Sequence, residues 1–258
     1  MVCMKKDPLF EQGRNLMKKR TLTAAVVVAI LTIGGMVWSG PNGVAEKSEK
    51  EWFSQAQQAM GFGRYDEAIR CYEKVLSVNP GFADVYRFLG DAYMKKGMPD
   101  RAIDAYKKAL DAKPQKVPAL IGLGNAYYQK EMIDESLAYY ASALATQPNS
   151  APARIGLGDL YYYKKNDPER ALAEYLKALA LEEGHADAQM AVGLILRKGV
   201  EQNKAAQHFY TAGLLFIKEG DRSSAFKAYE YLRQTKEDRL IRLLHEALQP
   251  SGKSSGPR

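Results

Sequence analysis

Three stretches, LGDAY at residues 89–93, LGNAY at 123–127 and LGDLY at 157–161, carry one pattern at a 34-residue step. Gly90, Gly124 and Gly158 keep that step, and Gly193 follows after 35. Working outward, Tyr72, Tyr106 and Tyr140 recur at 34, then Tyr175 after 35 and Phe209 after 34. Ala68, Ala102, Ser136, Ala171 and Ala205 mark a small-residue position in the same register, and Pro80, Pro114 and Pro148 close three units. Such a period means stacked supersecondary units, each too small to bury its own apolar face.

Within a unit the spacing is helical. Leu89-Gly90 precedes Tyr93 by four and three residues, and Ala102, Tyr106 and Ala109 fall at i, i+4 and i+7. Each unit therefore reads as two helices with one buried face each, and the fold class is all-α. Small residues let the two backbones approach, and a large ring from the neighbouring helix fills the space beside them. Gly63 and Gly97 suit the left-handed residue after a first helix. Pro99 and Pro168 suit the first position of a second helix, with Asp167 as an N-cap. The chain holds 16 tyrosines against 8 phenylalanines, and repeat packing with hydroxyls at the wet edge accounts for most of them. Cys71 falls among repeating core positions and reads as a small buried side chain.

These positions resemble the tetratricopeptide repeat family, whose pattern runs W-x2-L-G-x2-Y, then A-x3-F, then P. Trp52, Ala68, Tyr72 and Pro80 match in the first unit, and Leu89, Gly90, Tyr93, Ala102, Tyr106 and Pro114 in the second. The third has Leu123, Gly124, Tyr127, Tyr140 and Pro148; the fourth Leu157, Gly158, Tyr161, Ala171 and Tyr175; the fifth Gly193, Ala205 and Phe209. The resemblance covers about residues 49–235, five to six repeats, and implies a right-handed superhelical solenoid that binds proteins. Some members grip a C-terminal carboxylate with a clamp of lysine, asparagine and arginine. The corresponding positions here are Phe53, Gln57, Phe88, Pro118 and Gly122, so the clamp is missing and chaperone-tail binding is not carried over.

The pattern loosens toward the C-terminus. One residue is inserted in the fourth unit, near Lys164-Lys165-Asn166-Asp167, and its closing proline is absent. Helices are expected at about 203–218 and 222–234, and the sequence leaves open which completes the fifth hairpin. Leu240, Leu243, Leu244 and Leu248 form an apolar stripe on a last helix. Residues 236–258 read as a capping helix and a disordered tail, with a docking helix for a partner as the competing reading.

Upstream of the repeats, TLTAAVVVAILTIGGMVW at 21–38 carries no charge and is long enough to span a bilayer. The expected organisation is a basic cytoplasmic segment at 1–20, a transmembrane helix at 21–39 and a linker at 40–48. Lys18-Lys19-Arg20 keeps the N-terminus in the cytoplasm, which places the repeats beyond the inner membrane, in the periplasm of a bacterium. A signal peptide cleaved after Ala45 is the alternative, and both readings export the body.

The net charge is +7, but it is concentrated in the first 20 residues and the last eight. The near-neutral body offers no phosphate-tracking field, so nucleic-acid binding is not expected. His185, His208 and His245 are isolated, and no metal or nucleophile spacing stands out. Gly122-Leu-Gly124 and Gly156-Leu-Gly158 lie inside helices rather than after strands, so packing explains them. No enzyme activity, cofactor, metal or small-molecule substrate is expected. The remaining candidate is the concave wall of first helices, with Arg87, Asp91, Ile121, Asn125, Tyr128, Ile155, Asp159, Tyr162 and Met190 facing inward. Rings for area and amide or acid groups for backbone hydrogen bonds suit a partner peptide or helix. The expected function is a membrane-tethered scaffold for an envelope complex, with a holdase-like chaperone or targeting receptor as the alternative.

Overall fold

The structure, a computed structural model, describes residues 47–199 and 201–249. The expected basic segment, transmembrane helix, most of the linker and the tail from Pro250 lie outside these residues. Among the described residues there is no strand, and no helix is long and apolar enough to cross a membrane. The chain divides into two units, Met1–Glu51 and Trp52–Arg258. In the described part of the first, the Ser48 N–H donates to Glu51 Oε2 at 2.7 Å and the Glu51 N–H donates to the Ser48 hydroxyl at 3.4 Å. This reciprocal cap satisfies two helix-terminal donors, and it holds the Glu51 carboxyl below its usual value.

Among the described residues twelve α-helices follow in order. Five hairpins come first: α1 (Glu49–Gly61) with α2 (Tyr65–Val78), α3 (Ala83–Lys95) with α4 (Pro99–Ala112), and α5 (Val117–Gln129) with α6 (Ile133–Thr146). Then α7 (Ala151–Asp159) pairs with α8 (Pro168–Leu181), and α9 (Ala186–Arg197) with α10 (Gln202–Glu219). Helices α11 (Arg222–Arg233) and α12 (Asp238–Leu248) end the array.

The turns inside the hairpins are built alike. Gly63 and Gly97 adopt left-handed φ values of 69° and 76°, as their places predict, and Glu131 (60°) and Asn166 (49°) occupy the same position in the next two hairpins. A side chain there costs roughly 1–2 kcal/mol, so the turn geometry prevails over local preference. The closing bonds, Arg64 N–H to Ala59 O, Met98 N–H to Tyr93 O and Met132 N–H to Tyr127 O, each span five residues. In the fourth hairpin Asp167 N–H reaches Tyr161 O, six residues back. The extra residue is absorbed by a π-helical turn, Leu160–Lys164, closed by Lys165 N–H to Leu160 O at 3.1 Å. The insertion thus acts earlier than the expected 164–167, as a single π-helical turn inside the first helix. Pro99 and Pro168 begin α4 and α8, and Asp167 accepts from the Arg170 N–H at 3.0 Å.

Rings lodged against glycines hold the hairpins together. A Cβ on Gly90 would lie 2.5 Å from the Tyr106 ring, and one on Gly122 would lie 2.4 Å from it. Tyr106 is therefore clamped between its own hairpin and the next. Tyr140 repeats the arrangement between Gly124 and Gly156, at 2.6 and 2.4 Å. In the first hairpin Tyr72 instead meets Phe88, with ring centroids 6.0 Å apart. Along one edge Lys96 pairs with Asp66, Lys130 with Asp100, and Lys164 with Glu131. Exposed pairs of this kind are screened by water and contribute little, so the clamped rings carry the packing. Cys71 is buried, as its register implies.

Helix α10 completes the fifth hairpin: it packs along α9, and Phe209 sits where a Cβ on Gly193 would be 2.6 Å away. Its second half extends beyond the hairpin, where a Cβ on Gly213 would lie 2.6 Å from Leu244 of α12. Leu240, Ile241 and Leu248 pack around the buried Leu244, Phe209 and Leu232. Most of the expected apolar stripe on the last helix is therefore packed against α10 and α11, and Leu243 faces outward, 40% exposed.

Candidate functional site

The first helices of successive hairpins touch one another, α3 to α5 and α5 to α7, so residues after each packed glycine form a row. Each of three tyrosines from the second helices donates its hydroxyl to that row. Tyr106 bonds Asp91 Oδ1 at 2.7 Å, Tyr140 bonds Asn125 Oδ1 at 2.5 Å, and Tyr175 bonds Asp159 Oδ1 at 2.6 Å. The hydroxyls expected at a wet edge are thus spent on acceptors one hairpin partner away, and these acceptors are fixed before any ligand arrives. A bond to a charged acceptor of this kind contributes roughly 1.5–3 kcal/mol. Burial raises the Asp91 and Asp159 carboxyls, against the tyrosine bonds that lower them. Burial also pushes the Tyr106, Tyr140 and Tyr175 hydroxyls up, so all three remain donors at neutral pH.

In the first hairpin Gln57 stands where Asp91 stands in the second, one methylene longer. There the Tyr72 hydroxyl and Gln57 Nε2 are both buried with no hydrogen-bond partner among the described residues. The Tyr72 hydroxyl is pushed up to about 12, mainly by burial. In the fifth hairpin Leu194 occupies the acceptor position and Phe209 replaces tyrosine, so neither partner is polar. The row of pinned acceptors is a property of hairpins two to four.

Beside this row lies a cavity of about 410 Å³, within the roughly 300–1,000 Å³ usual for ligand clefts. Asp91, Ile121 and Asn125 line it together with Pro118, Pro152 and Glu182. The structure brings three of the expected groove residues to one opening and adds residues that the helical pattern did not reveal. Gln147, Asn149 and Ser150 come from the connection between the third and fourth hairpins; their polar character after Thr146 was the available signal.

The other expected residues divide. Arg87 spreads its guanidinium 3.6 Å from the Phe88 ring centroid and donates to Asp91 Oδ2 at 2.5 Å, so it supports Asp91. Tyr128 and Tyr162 are partly exposed and gather cations: Lys164 Nζ lies 5.2 Å from the Tyr128 ring centroid and Lys198 Nζ 5.5 Å from that of Tyr162. Tyr163, absent from the sequence-based set, is 58% exposed and meets Tyr162 edge to face at 4.9 Å. Ile155 does not reach the groove. It is 8% exposed and packs with Tyr175 of its own hairpin and Val192 of the next. Met190 likewise packs into the clusters at the C-terminal end.

Among the described residues no three His, Cys, Asp or Glu side chains gather as metal ligands. His208 Nδ1 lies 2.6 Å from Gln189 Oε1, and burial lowers its imidazole. Gly122, Gly124, Gly156 and Gly158 receive tyrosine rings inside α5 and α7, consistent with packing rather than phosphate binding.

Two sequence-family models, both described as tetratricopeptide repeat, match this chain, one at residues 53–117 and 160–214 and the other at 117–150. No curated protein sequence matches it significantly. Among solved structures, MamA is similar at 25% identity with a TM-score of 0.52, over 64% of this chain and 96% of that one. A thermophilic TPR protein of Thermus thermophilus superposes with a TM-score of 0.57 at 20% identity, over 78% of this chain and 99% of that one. The pilF protein of Pseudomonas aeruginosa gives 0.56 at 17%, over 77% and 96%. At these two lower identities the likeness concerns the fold. With matches over more than half its length and the repeat built in its packed core, the chain belongs to the tetratricopeptide repeat family.

Proposed function

We propose that this protein is a membrane-tethered scaffold that holds a partner protein by a peptide or helix laid along the first helices of hairpins two to four. The observation that carries this reading is the cavity beside Asp91, Ile121 and Asn125, whose polar groups are pinned by Tyr106 and Tyr140. Preorganised acceptors lower the ordering cost of binding, and the neighbouring rings of Tyr128 and Tyr162 supply contact area. The tether is residues 21–39, uncharged and long enough to span as a helix, with Lys18-Lys19-Arg20 holding the N-terminus in the cytoplasm. The repeats then face the periplasm, where a scaffold serves assembly of an envelope complex.

The test is affinity purification from detergent-solubilised membranes, comparing the native chain with Tyr128→Ala/Tyr162→Ala. A partner retained near stoichiometry by the native chain and lost from the double variant supports the scaffold reading. Many clients at low occupancy, equally retained by both, contradict it. A reporter enzyme fused after Arg258 tests the topology, and activity confined to the cytoplasm overturns the export.

A further inference from the structure

Where α2, α3 and α4 meet lies a second cavity, of about 390 Å³, that shares no lining residue with the groove cavity. Its floor is apolar: Leu89, Tyr93 and Ala105 are buried, and Leu76 and Tyr86 half-buried. The Tyr93 hydroxyl donates to Glu73 Oε1 at 3.0 Å, which fixes that ring. Arg101 Cζ lies 5.4 Å from the Tyr93 ring centroid and Lys108 Nζ 5.6 Å from that of Tyr86. Both side chains are exposed, and neither forms an ion pair among the described residues. The cavity is the space that remains with both in place.

The other repeats show what fills that space. In each unit one residue lies four before the packed glycine and another just before the packed ring, and the two change together. In the fourth hairpin they are Arg154 and Glu174, bonded at 2.9 Å; in the fifth they are Gln189 and His208, at 2.6 Å. In the third they are Leu120 and Tyr139. The Tyr139 ring stacks on Tyr127, with centroids 5.3 Å apart and 5° between planes, and packs with the cluster of Leu110 and Leu120. One repeat earlier those three neighbours are Tyr93, Leu76 and Tyr86, all lining the cavity, and Ala105 stands in place of Tyr139. The second hairpin therefore keeps the walls of a ring site and lacks the ring.

We propose that this cavity receives an aromatic side chain of a partner protein, which lies on Tyr93 as Tyr139 lies on Tyr127. A ring buried in a formed pocket is a common anchor of protein contacts, and walls set before binding lower its ordering cost. Arg101 and Lys108, free of ion pairs, then cover the outer face of the incoming ring. The site goes beyond the groove reading and gives the scaffold a second, independent point of contact. Tyr139 closes the equivalent place in the third hairpin, so this contact ends at α4.

The experiment is selection of random peptides displayed on phage against the full chain in nonionic detergent, with removal of those that also bind Ala105→Tyr. That variant supplies the missing ring from within and touches no residue of the groove. The remaining peptides are expected to share a phenylalanine, tyrosine or tryptophan whose replacement by alanine weakens binding roughly tenfold or more. Ser77→Trp, which plugs the mouth from an exposed position of α2, is expected to weaken the same peptides as strongly. Recovery of no peptide that Ala105→Tyr loses overturns the proposal, as do lost peptides that share no aromatic residue. Loss with Ala105→Tyr but full binding to Ser77→Trp also overturns it, and assigns the loss to a disturbed fold. Peptides blocked only by Pro152→Arg, in the groove cavity, overturn this site and leave the groove reading standing.

Discussion

Hairpins two to four and the C-terminal end solve the same packing problem in different ways. In the middle, Tyr106 and Tyr140 each lie between two glycines and give their hydroxyls to Asp91 and Asn125. At the end, Phe209 lies on Gly193 without a hydroxyl, and Leu194 stands where an acceptor would be. Beyond it Gly213 takes an aliphatic side chain, Leu244, from α12. The comparison separates two jobs that one ring position performs. Burying a large ring in a glycine notch packs the two helices together in each of hairpins two to five. Adding a hydroxyl and an acceptor matters only where the first-helix face is to present ordered polar groups.

The largest effect that would break this comparison comes from removing a ring. Tyr140→Ala and Phe209→Ala, both fully or almost fully buried, are each expected to cost about 3–5 kcal/mol in chemical denaturation. A large difference between them would show that the two regions do not share one packing device. Next comes filling a notch: Gly156→Ala sets a Cβ 2.4 Å from the Tyr140 ring and should cost about 1–3 kcal/mol. Gly184→Ala, with nothing within 4 Å of the added carbon, should leave the midpoint nearly unchanged.

Converting the middle into the end sharpens the distinction further. Tyr140→Phe and Asn125→Leu are each expected to destabilise by about 1 kcal/mol, and the double variant by less than their sum. A coupling energy near zero in that cycle would mean that the 2.5 Å bond between Tyr140 and Asn125 contributes nothing to stability. The smallest effect concerns pH. The Asp159 carboxyl is raised above 3.8, chiefly by burial, so the folded state holds that proton more tightly than the unfolded state. Its ionisation therefore costs stability, which is lost as pH rises from 3.8 through the raised value. Asp159→Asn should raise the melting temperature at neutral pH, and the gain should shrink as pH falls toward 3.8. A gain that persists at lower pH would assign the effect to something other than that carboxylate.

Much of this architecture is legible in the sequence because the repeat imposes helical spacing on residues whose sizes are complementary. Gly90 with Tyr106 and Gly124 with Tyr140 show the notch and the ring before any coordinates. The hydroxyl pairing was equally visible, as a constant 15-residue separation from Asp91 to Tyr106 and from Asn125 to Tyr140. It passes unread because a tyrosine at a packed position needs no acceptor to explain it. The π-turn could not be placed from residue counts, which fix that a residue is added between Tyr161 and Ala171 but not which hydrogen bonds adjust. The role of α10 rests on long-range packing: Phe209 answers Gly193, and Gly213 then answers Leu244 from 31 residues away. Ile155 was misplaced for a related reason. Its register matches that of Ile121, but Tyr175 of its own hairpin and Val192 of the next cover it.

The central claim is that the partner lies against the first helices of hairpins two to four. Its most direct test is photo-crosslinking in intact cells, with benzoylphenylalanine in place of Pro118, which lines the groove cavity, or of Ser142, exposed on a second helix. The account predicts a discrete adduct with one partner from position 118 and none from 142. Adducts from 142 alone, or the same adducts from both, would contradict it.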